Sequence, residues 1–136
     1  MKVRKGFVSN SSTCSFTIYG AWLDRNDVMK ALKEKQDEDY LKTIEKWKED
    51  YTEDGEEFDE EEIDDLSYFF ECVFGNLFTH YDWDTGDVAL GEGFASMDDD
   101  ETKAEFKKRI EESLKEKLGT LIDNVKFDII SHEYQC

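Results

Sequence analysis

Apolar and polar residues alternate over positions 15 to 20, where Phe16 and Ile18 fall on one face and Gly20 ends the run, so this segment is expected to be a strand. Residues 5 to 9 are expected to form its hairpin partner, joined through the turn chemistry of Asn10-Ser11-Ser12-Thr13. The period then lengthens. Val28, Leu32, Tyr40, Leu41, Ile44, Trp47 and Tyr51 recur at three- and four-residue spacing, which predicts one or two helices over 26 to 50, capped by Asp24 or Asn26 and broken near Asp37. Ile63, Leu66, Phe70 and Val73 give a further helical stripe that stops at Gly75-Asn76, with acidic residues grouped in its first turns where the helix dipole favours them. Alternation returns over 77 to 83, and Asp84-Thr85-Gly86-Asp87 turns the chain into Val88-Ala89-Leu90, which predicts a hairpin. Asp98-Asp99-Asp100-Glu101 then caps a last helix carrying Phe106, Ile110 and Leu114, stopped at Gly119, and a strand closes the chain over 125 to 131. This order predicts an α+β fold, with an antiparallel or mixed sheet of about four to five strands and three to four helices packed mainly on one face.

The 136 residues fit one domain, 1 to 136, with no proline, repeat or interdomain linker to divide it. An aromatic content of 14% beside 38% charged residues separates the chain from disordered compositions. Cys14, Cys72 and Cys136 share no CxxC spacing, and Met1-Lys2-Val3-Arg4-Lys5 leads into polar residues rather than an apolar signal core, so reduced thiols in a cytoplasm are expected. No apolar run approaches the roughly 18 residues that span a bilayer. A net charge of −18 also repels anionic lipid, so no membrane role is expected.

The placement of that charge changes the picture more than its size. Residues 1 to 48 hold 10 Lys or Arg against 7 Asp or Glu, and residues 103 to 136 hold 7 of each. Residues 49 to 102 hold 21 Asp or Glu and no Lys or Arg. The densest part comprises Glu49, Asp50, Glu53, Asp54, Glu56, Glu57, Asp59, Glu60, Glu61, Glu62, Asp64 and Asp65, where ion pairs with sequence neighbours are impossible and mutual repulsion costs stability.

Such a run on a folded scaffold imitates nucleic-acid phosphates toward partners that neutralise phosphate with Lys and Arg. Tyr51, Phe58, Ile63 and Phe69, interleaved with the acids, offer apolar contacts that make an electrostatic encounter specific. The plain alternative is a solvated, solubilising face. The expected partner-binding set is Glu49 to Asp65 as named, with Phe58, together with Asp98, Asp99, Asp100 and Glu101, and with Asp82 and Asp84 nearby.

Two other segments invite chemistry. His80, Asp82, Asp84 and Asp87 supply ligands of the type that suits calcium or magnesium, yet a helix-loop-helix calcium loop needs Gly and Glu where Asp87 and Gly93 stand. A polar hairpin with turn-forming aspartates accounts for the same residues. Ser9 to Ser15 is rich in hydroxyls, but His80 and His132 are far off in sequence and nothing marks a triad, so a turn, a modification target or a recognition tag is expected there. No enzymatic activity and no cofactor are expected.

The segment Arg4-Lys5-Gly6-Phe7-Val8-Ser9-Asn10-Ser11-Ser12-Thr13-Cys14-Ser15-Phe16 resembles an N-terminal segment, basic-x-Gly-Phe-Val-Ser-Asn then a serine run and Phe, of uncharacterised small proteins of bacteria and their phages. Thr13 and Cys14 stand here in place of serines of that run. The resemblance implies a bacterial or phage origin, where small acidic proteins act as inhibitors of host defence nucleases. The function expected is therefore a non-enzymatic acidic binding protein, a DNA-mimic or anti-CRISPR-like inhibitor. It would occupy the basic nucleic-acid-binding site of a partner protein or nuclease without itself binding nucleic acid. A regulatory or substrate protein read through the Ser-rich N-terminal hairpin, and a divalent-metal domain using His80 to Asp87, are the alternatives.

Overall fold

The strand predicted around Phe16 and Ile18 is the centre of the sheet. In the computed structural model, which describes residues 13 to 51, 63 and 65 to 135, β1 runs over Thr13–Asp24 and pairs on both sides. Its partners are β3 (Asp87–Glu92) and β4 (Asp128–Gln135), while β2 (Phe78–Asp82) pairs with β3, giving the order β2-β3-β1-β4 with every pairing antiparallel. The expected hairpin partner at 5 to 9 lies outside the described residues.

Helices α1 (Arg25–Lys35) and α2 (Glu38–Tyr51) follow β1, α3 (Leu66–Val73) precedes β2, and α4 (Lys103–Leu118) lies between β3 and β4. Local chemistry sets each boundary. Asp24 Oδ1 accepts from the N–H of Asn26 at 2.8 Å, satisfying a donor at the start of α1. Gln36, at φ 52, takes the left-handed conformation that ends α1, and Asp37 Oδ2 then accepts from the Tyr40 N–H at 3.0 Å to start α2. The break expected near Asp37 is thus a cap-to-cap junction.

Three boundaries differ from expectation. Thr102, not the preceding acids, caps α4, in a reciprocal box with Glu105: the Thr102 hydroxyl accepts from the Glu105 N–H at 3.1 Å, and Glu105 Oε1 accepts from the Thr102 N–H at 2.9 Å. No acidic residue occupies the first turn of α3; Asp65 stands just before it as the N-cap. The last strand starts at Asp128 because Gly119–Asn124 adds 3-10 turns after α4, with Gly119 at φ 62 ending the helix as expected.

Alternation along β1 divides the sheet into two faces. On one, Tyr19 and Leu23 join Tyr81, Val88 and Leu90 beneath the helices, where Val28, Leu32, Phe69, Phe70, Val73, Phe74, Phe106, Ile110 and Leu114 are fully buried. On the other, Phe16, Ile18 and Ala89 form a second, smaller cluster flanked by Trp22, Phe78, Ile130 and Tyr134. The four helices therefore pack on a single face, as the sequence predicts, and no described helix is long and apolar enough to cross a membrane.

The second face is closed by the curl of the sheet. Gly20 and Gly91 are register partners, and a Cβ on either would run into backbone of the facing strand, Leu90 carbonyl in one case and Tyr19 carbonyl in the other. With no side chains at this point, rings from outer and inner strands meet across the face: Phe16 of β1 and Phe78 of β2 have centroids 4.8 Å apart.

Candidate functional site

The acidic stretch leaves from one anchored element and returns to another. On α2, Tyr40, Ile44 and Trp47 are buried, and Trp47 meets Phe69 of α3 edge-on at 5.6 Å. Ile63, the one apolar residue described between α2 and α3, is 6% exposed and belongs to the main core. Ile63 and the fully buried Phe69 are core residues, which corrects their reading as partner contacts: these two positions hold the fold.

Of the expected partner-binding residues, Glu49 is exposed near the end of α2, and Asp50 lies on the same helix. Asp65 is exposed and caps α3, its Oδ1 accepting from the Tyr68 N–H at 3.0 Å. Glu53, Asp54, Glu56, Glu57, Phe58, Asp59, Glu60, Glu61, Glu62 and Asp64 lie outside the described residues. Asp98, Asp99 and Asp100 are exposed on the connection between β3 and α4.

Glu101 departs from that set. Its carboxylate receives Nε and Nη2 of Arg109, each at 3.0 Å, while Nη1 of Arg109 reaches Glu92 at 2.8 Å. The bidentate pair holds the Glu101 carboxyl below its usual range, chiefly through the Arg109 hydrogen bonds, and holds the guanidinium firmly protonated. Glu101 is a joint between α4 and the end of the hairpin and not an outward-facing charge. Other cations have partners on the helices: Lys117 bonds Asp39 at 2.8 Å and Asp37 at 3.2 Å, and Lys115 bonds Asp123 at 2.7 Å. The Lys117 hydrogen bond lowers the Asp39 pKa.

The His80 to Asp87 segment resolves into turn chemistry. Asp82 Oδ1 accepts from the Asp84 N–H at 2.9 Å, Thr85 Oγ1 accepts from the Asp87 N–H at 3.2 Å, and Gly86 sits at φ 78. Asp84 is exposed in the turn rather than on the strand face with His80 and Asp82. Among the described residues no group of three or more His, Cys, Asp or Glu is placed to hold a metal ion.

What the sequence did not reveal is that β4 brings His132 to His80. Their ring centroids are 5.5 Å apart, His80 lies 4.4 Å from the Tyr134 ring, and Trp22 presents an edge to His132 at 5.2 Å. His132 Nε2 stands 3.8 Å from Asp82 Oδ2. The signal was the alternation of Ile130, His132 and Tyr134, hidden by ending the predicted strand at Ser131. Burial, and then His132, push the His80 pKa down, with Asp82 acting against them.

The expected Ser-rich hairpin lies mostly outside the described residues; Ser15 is exposed on β1. The expectation of reduced thiols is corrected at Cys14, which is disulfide-bonded, whereas Cys72 is a free, exposed thiol. Comparison with protein-family models, with curated proteins and with solved structures finds no match to this chain.

Proposed function

We propose that the chain is a non-enzymatic acidic binding protein that occupies the basic nucleic-acid-binding site of another protein. Its concrete form is a phage or bacterial inhibitor that presents carboxylates where a nuclease expects phosphates. One observation carries this reading: 12 acids from Glu49 to Asp65 without an intervening cation, in a segment that follows buried Trp47 on one side and leads into buried Ile63 and the α3 cap on the other. Anchors at both ends limit the entropy that binding must remove, which favours a charged surface that selects partners over one that only solubilises.

Affinity capture from a bacterial lysate on the immobilised full chain, eluted with a salt gradient, tests it. A retained basic nucleic-acid-binding protein should leave as screening shortens the Debye length from about 10 Å at 0.1 M toward 3 Å at 1 M. The combined substitutions Glu60→Lys, Glu61→Lys and Glu62→Lys should abolish retention, and nucleic acid should compete for the captured partner. A partner held equally at high salt and insensitive to the charge reversal, but lost on replacing Ser11 and Ser12 by Ala, would overturn the proposal in favour of recognition through the N-terminal segment.

A further inference from the structure

The second face of the sheet joins strands that are not neighbours. Among the described strands β2 and β4 are the two edges of the sheet, separated by β3 and β1, yet His80 and Phe78 of β2 reach His132 and Tyr134 of β4 through a shared layer of rings. Phe16 is the hub, with centroid distances of 4.8 Å to Phe78, 5.2 Å to His80 and 5.8 Å to His132. No described helix covers this layer, and the two edges meet across it through their own rings.

The groups that face the two imidazoles are few. From β1 come Phe16, Ile18 and Trp22, and from β3 come Ala89 and Gly91, none of them ionisable. From β4 come His132 and Tyr134, and from β2 comes Asp82, paired in register with Asp87 at the end of β3. Among the described residues one carboxylate, Asp82, is therefore in reach of the pair, 3.8 Å from His132. A proton on His80 places a charge in a half-buried aromatic layer, where loss of hydration penalises it.

We propose that this face is a proton-operated latch. With His80 neutral, β4 closes over β2; with His80 protonated, the two edge strands part and the rings of Phe16, Phe78 and Tyr134 meet water. The hydrogen-bonded pairings of β1 with β3 and β4 stay intact, because what is lost is the curl and not the ladder. The fully buried face beneath the helices is untouched. The latch is independent of the acidic stretch, so it stands or falls separately from the binding role proposed above.

Nuclear magnetic resonance of the full chain, with the Cys14 disulfide kept, tests the latch. The ring of His80 is titrated from about pH 7.5 to about pH 5 while its cross-peak to the Tyr134 ring is followed. The cross-peak should be largely lost as His80 takes up its proton, while the Phe70 to Tyr81 cross-peak on the helix side stays constant. In His80→Phe the ring at position 80 should keep its contact with Tyr134 across the whole range. A His80 ring that is fully protonated with its Tyr134 contact unchanged overturns the latch. So does a His80→Phe protein that loses the contact at the same pH as the wild type. Should the variant fail to fold, the wild-type titration alone decides.

Discussion

The two faces of one four-stranded sheet are built from alternate residues of the same strands and are closed by different means. Beneath the helices, Phe69, Phe70, Phe74 and Phe106 are wholly out of water, and no His, Lys or Arg belongs to the cluster. On the far side the buried hydrophobic cluster of the described residues is Phe16, Ile18 and Ala89, and two histidines share the layer. A helix layer can be sealed by adding side chains from several directions, whereas a curled sheet seals only as far as its edges meet. The first face is accordingly where stability resides, and the second is where solution conditions gain access to the fold.

Phe70→Ala and Phe16→Ala measure that difference directly. Phe70 sits among Phe69, Phe74 and Tyr81, and its truncation should cost about 4 kcal/mol, through lost transfer free energy plus a cavity that packed neighbours cannot fill. Phe16 lies in a layer that water already borders, so its truncation should cost about half as much, roughly 2 kcal/mol. Urea unfolding of the two variants gives both numbers. Equal costs would break the comparison, because they would mean that the second face is as dry as the first.

Gly91→Ala strikes the element that creates the second face. A methyl there meets the Tyr19 carbonyl, which is backbone and cannot swing aside, so β1 and β3 must separate and the curl must relax. A loss of about 2 to 3 kcal/mol is expected, with the Phe16 to Phe78 contact weakened in the folded remainder. Thermal unfolding reads the first effect and ring-to-ring cross-peaks the second. A variant as stable as the parent, with that contact kept, would show that the glycine pair is not what bends the sheet.

Much of this fold was legible in the sequence, and the limits were physical. Helix stripes such as Phe106, Ile110 and Leu114, and the turn at Asp84 to Gly86, are set by residues close together, so spacing and turn chemistry reveal them. Strand order is set by pairings between residues far apart in the chain, such as Tyr19 with Glu92 and Phe16 with His132, on which local pattern is silent. The same applies to the candidate site. The charge run is plain in the sequence, but that Ile63 and Phe69 turn into the core, and that Glu101 turns toward Arg109, depends on partners that only the folded chain supplies.

The pH dependence of stability should separate the faces next. Unfolded, His80 titrates near its ordinary value of about 6.5, and folded it titrates lower. Between those values the unfolded chain binds the extra proton, so stability rises with pH through that window. The contribution is fully present above about pH 6.5 and is lost as pH falls through the folded value. Asp39, Glu101 and Glu105 have lowered pKa values and contribute in the same direction, but only in the carboxylate range. His80→Phe should therefore flatten the stability profile near pH 6 and leave the acid limb intact. A profile unchanged near pH 6 would remove His80 from the account.

Salt should produce the smallest effect, and it acts on neither face. The 12 acids from Glu49 to Asp65 have no Lys or Arg among them in the sequence and repel one another. Raising sodium chloride from about 0.05 M to about 0.5 M should therefore raise the melting temperature by a few degrees, most of it gained at the low end where the Debye length changes fastest. Glu60→Gln, Glu61→Gln and Glu62→Gln together should reduce that rise and leave the slope near pH 6 alone, whereas His80→Phe should do the reverse. Hydrophobic salting-out would instead grow steadily with concentration and more strongly with sulfate than with chloride. If the triple substitution leaves the salt response intact, repulsion along the acidic stretch is already relieved within the molecule, and the free carboxylate array that a basic partner would need is absent.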